Sequence, residues 1–169
     1  MLKEYLNYFG ATKTPIFFLI DFEINNYHVQ PLYTLDSDIY FEIDGFLNKR
    51  FSKIDLNFNL KSHSISFEEY KKRFDTVQKQ IKDGNTYLLN LTCKSKINSS
   101  FRLIDIYKSS NAKFKLFYKD RFICFSPERF ISIKDDKIFA YPMKGTIDAN
   151  IQNAREIILN DEKERAEHI

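Results

Sequence analysis

The chain has 169 residues, 43% of them hydrophobic, with 17 Phe, 10 Tyr and a formal net charge of +3. That length suits about one domain, able to bury roughly two thirds of its unfolded surface, and so many apolar residues exclude a disordered chain. Lys and Glu are interspersed along the sequence, which argues against the clustered basic face of a nucleic-acid binder.

In chain order, Pro15-IFFLIDFEI reads as a buried strand running out into alternation, and Asn25-Asn26 as the turn into a second strand. Asp38-IYFEIDGF sets Ile39, Phe41 and Ile43 against Tyr40, Glu42 and Asp44, the period of a half-buried strand. KIDLNFNLKSHSI alternates again. The expectation for residues 1–65 is therefore a sheet-rich part built as an antiparallel meander.

At Ser66 the period changes. Ser66 as N-cap with Glu69 three residues on fits a capping box, and Tyr70, Phe74, Val77 and Ile81 recur at helical spacing until Gly84. Thr86-YLLNLTCKSKI reads as a strand and Phe101 to Ser109 as a short helix. Further strands follow from Lys113, with 130–134 and 137–141 as the arms of a hairpin closed by KDDK, and residues 148–169 turn helical. Strands, helix, strands, helix with short connections is an α+β pattern on antiparallel sheet rather than alternating βαβ. The sequence ends within an amphipathic helix without a stop signal, so a longer protein is expected.

Cys93 and Cys124 are the only cysteines, with no metal spacing around them, which fits a reducing compartment. The apolar run Ile16 to Ile20 is far short of the roughly 20 residues a bilayer span needs. A cytoplasmic protein without a membrane partner is expected.

Four clusters could carry chemistry. Glu128 precedes one hairpin arm and Lys144 follows the other, so the two fall near one end of the hairpin. They form either a surface salt bridge or a carboxyl and amine sharing a cleft, which suits acid–base or nucleophilic work. Glu164 and Glu167 are i, i+3 on one helical face, either solvated or a half-site for Mg²⁺, a hard ion that takes oxygen ligands. Gly145 and Thr146 offer backbone amides and a hydroxyl for an anion, or make an ordinary turn. Asn90 and Thr92 would share one strand face, the amide either a structural bonder or a ligand donor.

Taken in order, the helix, GNTYLLNLT, FSPERF, PMKGTI and NDEKERAEHI resemble the chorismate-utilising enzymes. These include anthranilate synthase component I, aminodeoxychorismate synthase component I, isochorismate synthase and salicylate synthase. The resemblance covers residues 66–169, read as the first part of the chorismate-binding domain, truncated mid-helix; residues 1–65 resemble the family loosely. It implies an antiparallel β-sandwich with outer helices, here incomplete at the C-terminus, binding chorismate with Mg²⁺. By motif it implies Glu128 as the acid–base group at the departing C4 hydroxyl, Glu167 as a direct Mg²⁺ ligand with Glu164 in support, and Gly145 and Thr146 in a carboxylate pocket.

The residue before that Gly separates the branches, and Lys144 resembles the aminodeoxychorismate synthase branch, where anthranilate synthases carry Ala. That branch implies attack by the lysine amine at C2 of the ring, then ammonia at C4, and a glutamine amidotransferase subunit as ammonia donor. The product, 4-amino-4-deoxychorismate, leads to p-aminobenzoate and folate. Anthranilate, isochorismate or salicylate synthesis, and a non-catalytic truncated homologue, remain the alternatives. Motifs the family carries further on, among them a second pair of Mg²⁺ glutamates, are absent from this sequence, so the segment alone is expected to be inactive.

Overall fold

A computed structural model describes residues 1–57, 61–87, 89–126, 128–129, 131–141, 145–162 and 165. Helix α1 (Leu2–Ala11) opens the chain, followed by strands β1 (Ile16–Ile20) and β2 (Tyr27–Pro31), a 3-10 turn (Leu32–Thr34), β3 (Ile39–Ile43) and β4 (Phe46–Leu47). Then come β5 (Lys61–His63), α2 (Phe67–Lys82), β6 (Lys96–Asn98) and α3 (Leu103–Ser109). The strands β7 (Phe114–Tyr118), β8 (Phe122–Ser126), β9 (Ile131–Lys134) and β10 (Lys137–Ala140) precede α4 (Ala154–Asn160). Every strand pair is antiparallel. The fold is α+β, as the sequence pattern implies.

The chain divides into two compact units, residues 1–51 with 110–169, and residues 52–109. The first holds a four-stranded sheet in the order β4-β3-β7-β8 and two separate hairpins, β1–β2 and β9–β10. The second holds the β5–β6 pair with α2 and α3.

Local chemistry explains most boundaries. Ser66 Oγ accepts the Glu69 amide hydrogen at 3.2 Å, so the expected N-cap is in place. Glu68 and Glu69 in the first turn and Lys79 and Lys82 in the last complement the helix dipole. Gly84, at φ +74, takes the left-handed position just past the end. The hairpins turn on residues with positive φ: Asp44 and Gly45 between β3 and β4, Asp135 and Asp136 between β9 and β10. Two left-handed residues match the twist of the flanking strands. The β1–β2 turn is tied by Asp21, whose carboxylate accepts from Asn26 Nδ2 (2.7 Å) and from the amides of Asn25 (2.8 Å) and Asn26 (3.0 Å). These bonds, the Asn26 side chain first, hold its pKa below the usual carboxylate range.

Four sequence expectations are corrected. The first 65 residues are not a meander: they begin with α1, and β3 pairs with β7 instead of β2. In α1, Leu, Lys and Glu favour helix and no β-branched residue interrupts until Thr12, whose Oγ1 donates to the Tyr8 carbonyl at 3.0 Å. Among the described residues of 86–97, strand begins only at Lys96, where β5 supplies a partner; Asn90 and Thr92 are exposed outside any strand. Likewise, in 53–65 only β5 is strand among the described residues. The final helical stretch starts later than expected, after Asn153 (φ +61), and is interrupted where Asp161 turns extended; Glu162 and Arg165 are again helical, the Arg165 amide donating to the Asp161 carbonyl at 3.0 Å.

The core of the first unit lies on the central sheet. Ile39 is fully buried, with Phe41 and Phe117 nearly so; in the second unit Tyr107 is buried. Phe17 of β1 stacks on Phe41 and Tyr118, with ring centroids 6.2 and 6.4 Å away, which lays the β1–β2 hairpin over one face of the sheet. On the opposite face Tyr40 stacks on Phe117 at 5.3 Å and meets the edge of Phe51 at 4.8 Å. With so few buried side chains, Phe41→Ala is expected to cost about 3–5 kcal/mol. Phe22→Ala, at a site 96% exposed, should stay within about 0.5 kcal/mol. Urea unfolding of the two variants checks the pair.

Candidate active site

The register of β9 and β10 pairs Ile131 with Ala140. The residues before Ile131 and those after Ala140 therefore emerge at the same end of the hairpin. Two of them meet: the Arg129 guanidinium lies 5.8 Å from the Tyr141 ring centroid. Glu128, the residue before Arg129, sits in the short connection between β8 and β9.

That connection is held from three sides. Ser126 Oγ, at the end of β8, donates to the Glu128 carbonyl at 2.9 Å and accepts the Glu128 amide hydrogen at 3.3 Å. Arg129 Nη2 donates to Asp44 Oδ2 at 3.0 Å, across to the β3–β4 turn. Its guanidinium also lies 5.9 Å from the Phe114 ring centroid. Phe114 and Tyr141 thus add ring faces to the ion pair. The result is a fixed backbone on which the Glu128 carboxyl is mounted.

One carboxyl oxygen, Glu128 Oε2, is buried and has no hydrogen-bond partner among the described residues. A buried polar atom without a partner costs free energy. Such an atom marks a place where an absent donor, such as a substrate hydroxyl, would fit. Gly145 and Thr146 are exposed on the segment that follows β10. Lys144, Glu164 and Glu167 lie outside the described residues, as does His168. Among the described residues no group of three or more His, Cys, Asp and Glu could hold a metal ion. Cys93 and Cys124 are both free.

A family model for chorismate binding enzymes matches residues 48–169, well over half of the chain, a span that includes Ser126, Glu128, Arg129 and Tyr141 but not Asp44. The chain belongs to the chorismate-binding enzyme family. An uncharacterized PabA-like protein of Haemophilus influenzae is 43% identical over 166 residues, 98% of this chain and 51% of the relative. An uncharacterized PabA-like protein of Pasteurella multocida is 42% identical over 165 residues, 96% of this chain and again 51% of the relative. The chain therefore spans about half the length of the curated relatives it matches. No solved structure matches it.

In this member of the family, two supports of the Glu128 turn are not legible in the sequence. Ser126 stands in the FSPERF motif, but its two hydrogen bonds to the Glu128 backbone need the turn to be built first. Asp44 is 85 positions from Arg129, and only the Asp-Gly turn signal at 44–45 marks it as structurally special.

A second polar cluster lies in the same unit, away from Glu128 along the sheet. Gln30 Nε2 donates to the Thr34 carbonyl (2.6 Å) and Asp36 Oδ1 (3.2 Å), which leaves its Oε1 to accept from His28 Nε2 at 2.9 Å. His28 Nδ1 lies within hydrogen-bond distance of the Tyr118 hydroxyl, at 3.1 Å. Lys119 Nζ closes the cluster on Asp36 Oδ2 at 2.5 Å. The Lys119 hydrogen bond, then Gln30, hold Asp36 below the usual carboxylate range, and the same bond raises Lys119. A depressed carboxylate contributes stability above its unfolded pKa, lost as pH falls through the folded one; a raised lysine contributes below its unfolded pKa, lost as pH rises through the folded one. The pair is thus at full strength between roughly pH 4 and pH 10. Asp36→Asn is expected to lower the melting temperature at pH 7, with the gap to the parent closing as pH falls through the depressed pKa of Asp36, below the usual carboxylate range. Added salt should narrow the gap at pH 7 as well, because both groups are partly exposed. A gap that ignores pH would assign the residue a packing role instead.

Proposed function

We propose that the chain is the chorismate-binding part of an aminodeoxychorismate synthase component I-type enzyme, folded as one portion of an antiparallel β-sandwich of the anthranilate synthase kind and working in the cytoplasm. The observation that carries this reading is the unpartnered, buried Glu128 Oε2, in a chain that a chorismate-binding family model matches across the same motif. The PabA-like name of both relatives points toward p-aminobenzoate synthesis.

In the proposed chemistry the Lys144 amine forms a bond to C2 of the ring. The C4–O bond breaks, and the hydroxyl leaves as water with a proton from Glu128. Ammonia then bonds to C4, the C2–N bond to Lys144 breaks, and the amine is restored. The sum is chorismate and ammonia to 4-amino-4-deoxychorismate and water. Covalent catalysis of this kind divides one difficult displacement into two easier ones. Gly145 and Thr146 are proposed to hold a substrate carboxylate, and a glutamine amidotransferase subunit to deliver the ammonia. Glu164 and Glu167 are proposed to hold Mg²⁺, which when bound would neutralise a carboxylate of the substrate.

The test uses the protein purified from its source cells at native length, incubated with chorismate, Mg²⁺ and ammonium. Mass spectrometry should identify 4-amino-4-deoxychorismate. Anthranilate, isochorismate or salicylate would place the protein elsewhere in the family, and unconsumed chorismate would remove the catalytic reading.

A further inference from the structure

Of Ser126, Arg129, Phe114, Tyr141 and Asp44, which hold the Glu128 turn, only Asp44 precedes residue 48, where the match to the family model begins. The sheet sets its place. β3 and β8 both pair antiparallel with β7, so they run in the same direction and finish at the same end of the central sheet. Ile43 ends β3 and pairs with Phe114, which pairs in turn with Ser126 at the end of β8. Asp44 is one residue beyond this cross-strand row, and Arg129 is three beyond it. Asp44 turns at once, with φ +48, and its amide donates to the Lys113 carbonyl at 2.8 Å. A turn tied in this way presents the Asp44 carboxylate at a fixed place, and Arg129 Nη2 donates to it at 3.0 Å.

Stability does not account for the pair. The side chains are 31% and 51% exposed, and ion pairs this wet contribute little to folding. What the pair supplies is direction. A guanidinium is planar and always charged. Here it faces Asp44 and two rings, Phe114 at 5.9 Å and Tyr141 at 5.8 Å. Phe114 begins β7 and Tyr141 follows β10. One side chain thus ties together the β3–β4 turn, the start of β7 and the exit of β10, and its own residue adjoins Glu128. With Arg129 loose, the Glu128 backbone would keep the two Ser126 bonds, at 2.9 and 3.3 Å, the second of them long.

We infer that Arg129 is a positioning residue for Glu128, and that Asp44, from the segment ahead of the family match, acts through it. An arginine that bound a substrate carboxylate would turn its guanidinium toward the substrate; this one is already engaged by Asp44 and covered by two rings. The link to catalysis rests on the function proposed above. The clamp itself does not.

The test uses the protein at native length with Arg129→Met, Asp44→Asn and the double variant. One readout needs no turnover: hydrogen–deuterium exchange, followed by mass spectrometry on the peptide that carries Glu128. Each single variant should speed exchange there about tenfold or more, while peptides from α2 keep the parent rate. The double variant should exchange no faster than Arg129→Met, because the two residues act as one unit. In turnover of chorismate, kcat should fall about tenfold to a hundredfold with KM within about threefold, the pattern of a displaced catalytic group. Arg129→Lys keeps the charge without the planar fork and should recover only part of kcat.

Four results would overturn the inference. Exchange around Glu128 could stay at the parent rate in either single variant. Arg129→Met could raise KM with kcat kept, the mark of direct substrate binding. The double variant could lose the sum of both single effects, the mark of independent roles. Or the melting temperature could drop with kcat intact, the mark of plain structural support. A parent that leaves chorismate unconsumed would remove the catalytic proposal, and the exchange rates alone would then decide whether Arg129 holds the turn.

Discussion

Replacing Lys144 with alanine, in the protein at native length, is expected to lower the rate of chorismate amination about a thousandfold or more, since it removes the proposed nucleophile. Ground-state binding of chorismate should change far less, so the loss falls on kcat more than on KM. Arginine at the same position separates two roles. It keeps a positive charge but cannot attack carbon, so Lys144→Arg should be as inactive as alanine if the amine is a nucleophile, and largely active if the lysine only steers an anion. Without ammonia, the parent should accumulate a covalent adduct of dehydrated chorismate, which peptide mass spectrometry would map to residue 144. Neither variant should show the adduct. Normal amination by Lys144→Ala would leave Glu128 as an acid–base group in a non-covalent mechanism. The placement of Tyr141 beside Arg129 supports the reading, for Lys144 follows only three residues later.

How much of this was legible beforehand depended on whether the signal was local. The α2 helix was readable because Ser66, Glu69 and Gly84 act through backbone groups a few positions away. The alternation of Ile39, Phe41 and Ile43 was readable because the pleat alone dictates it. What the alternation does not encode is the partner. β3 lies against β7, some seventy positions away, and no pattern in Asp38-IYFEIDGF says so. The same gap explains the strand expected over Thr86-YLLNLTCKSKI, whose apolar alternation is real but which, among the described residues, finds a neighbouring strand only at Lys96–Asn98. At the site, FSPERF marked Glu128 through its resemblance to a family. The pairing of Arg129 with Asp44 was not readable, because an ion pair between distant turns exists only once both hairpins are formed. The proposed roles of Lys144, Glu164 and Glu167 fall outside the described residues and rest on motif alone.

Glu128 carries the second large effect, and it comes in two parts with different signs. Because Glu128 is the group proposed to protonate the departing hydroxyl, its replacement by glutamine should lower kcat by about 10²–10⁴, the usual range for a positioned general acid. Stability should move the other way or not at all. Glu128 Oε2 is buried without a partner among the described residues, so those residues leave a desolvated polar atom uncompensated. Glu128→Met, similar in length and apolar, removes that cost and is expected to stabilise the fold by up to about 1–3 kcal/mol. A structural glutamate would behave differently, because losing a satisfied buried carboxylate destabilises the fold and need not affect turnover. Ser126→Ala gives the control. It leaves the carboxyl group intact but removes both hydroxyl bonds that fix the Glu128 backbone, so it should slow turnover less than Glu128→Gln while lowering the melting temperature. Measured together by steady-state kinetics and thermal unfolding, the three variants separate a strained catalytic carboxyl from a turn that merely joins two strands. If Glu128→Met is both less stable and fully active, the acid–base role is lost, and with it the reason for a carboxyl oxygen to stand buried and unpaired at the end of β8.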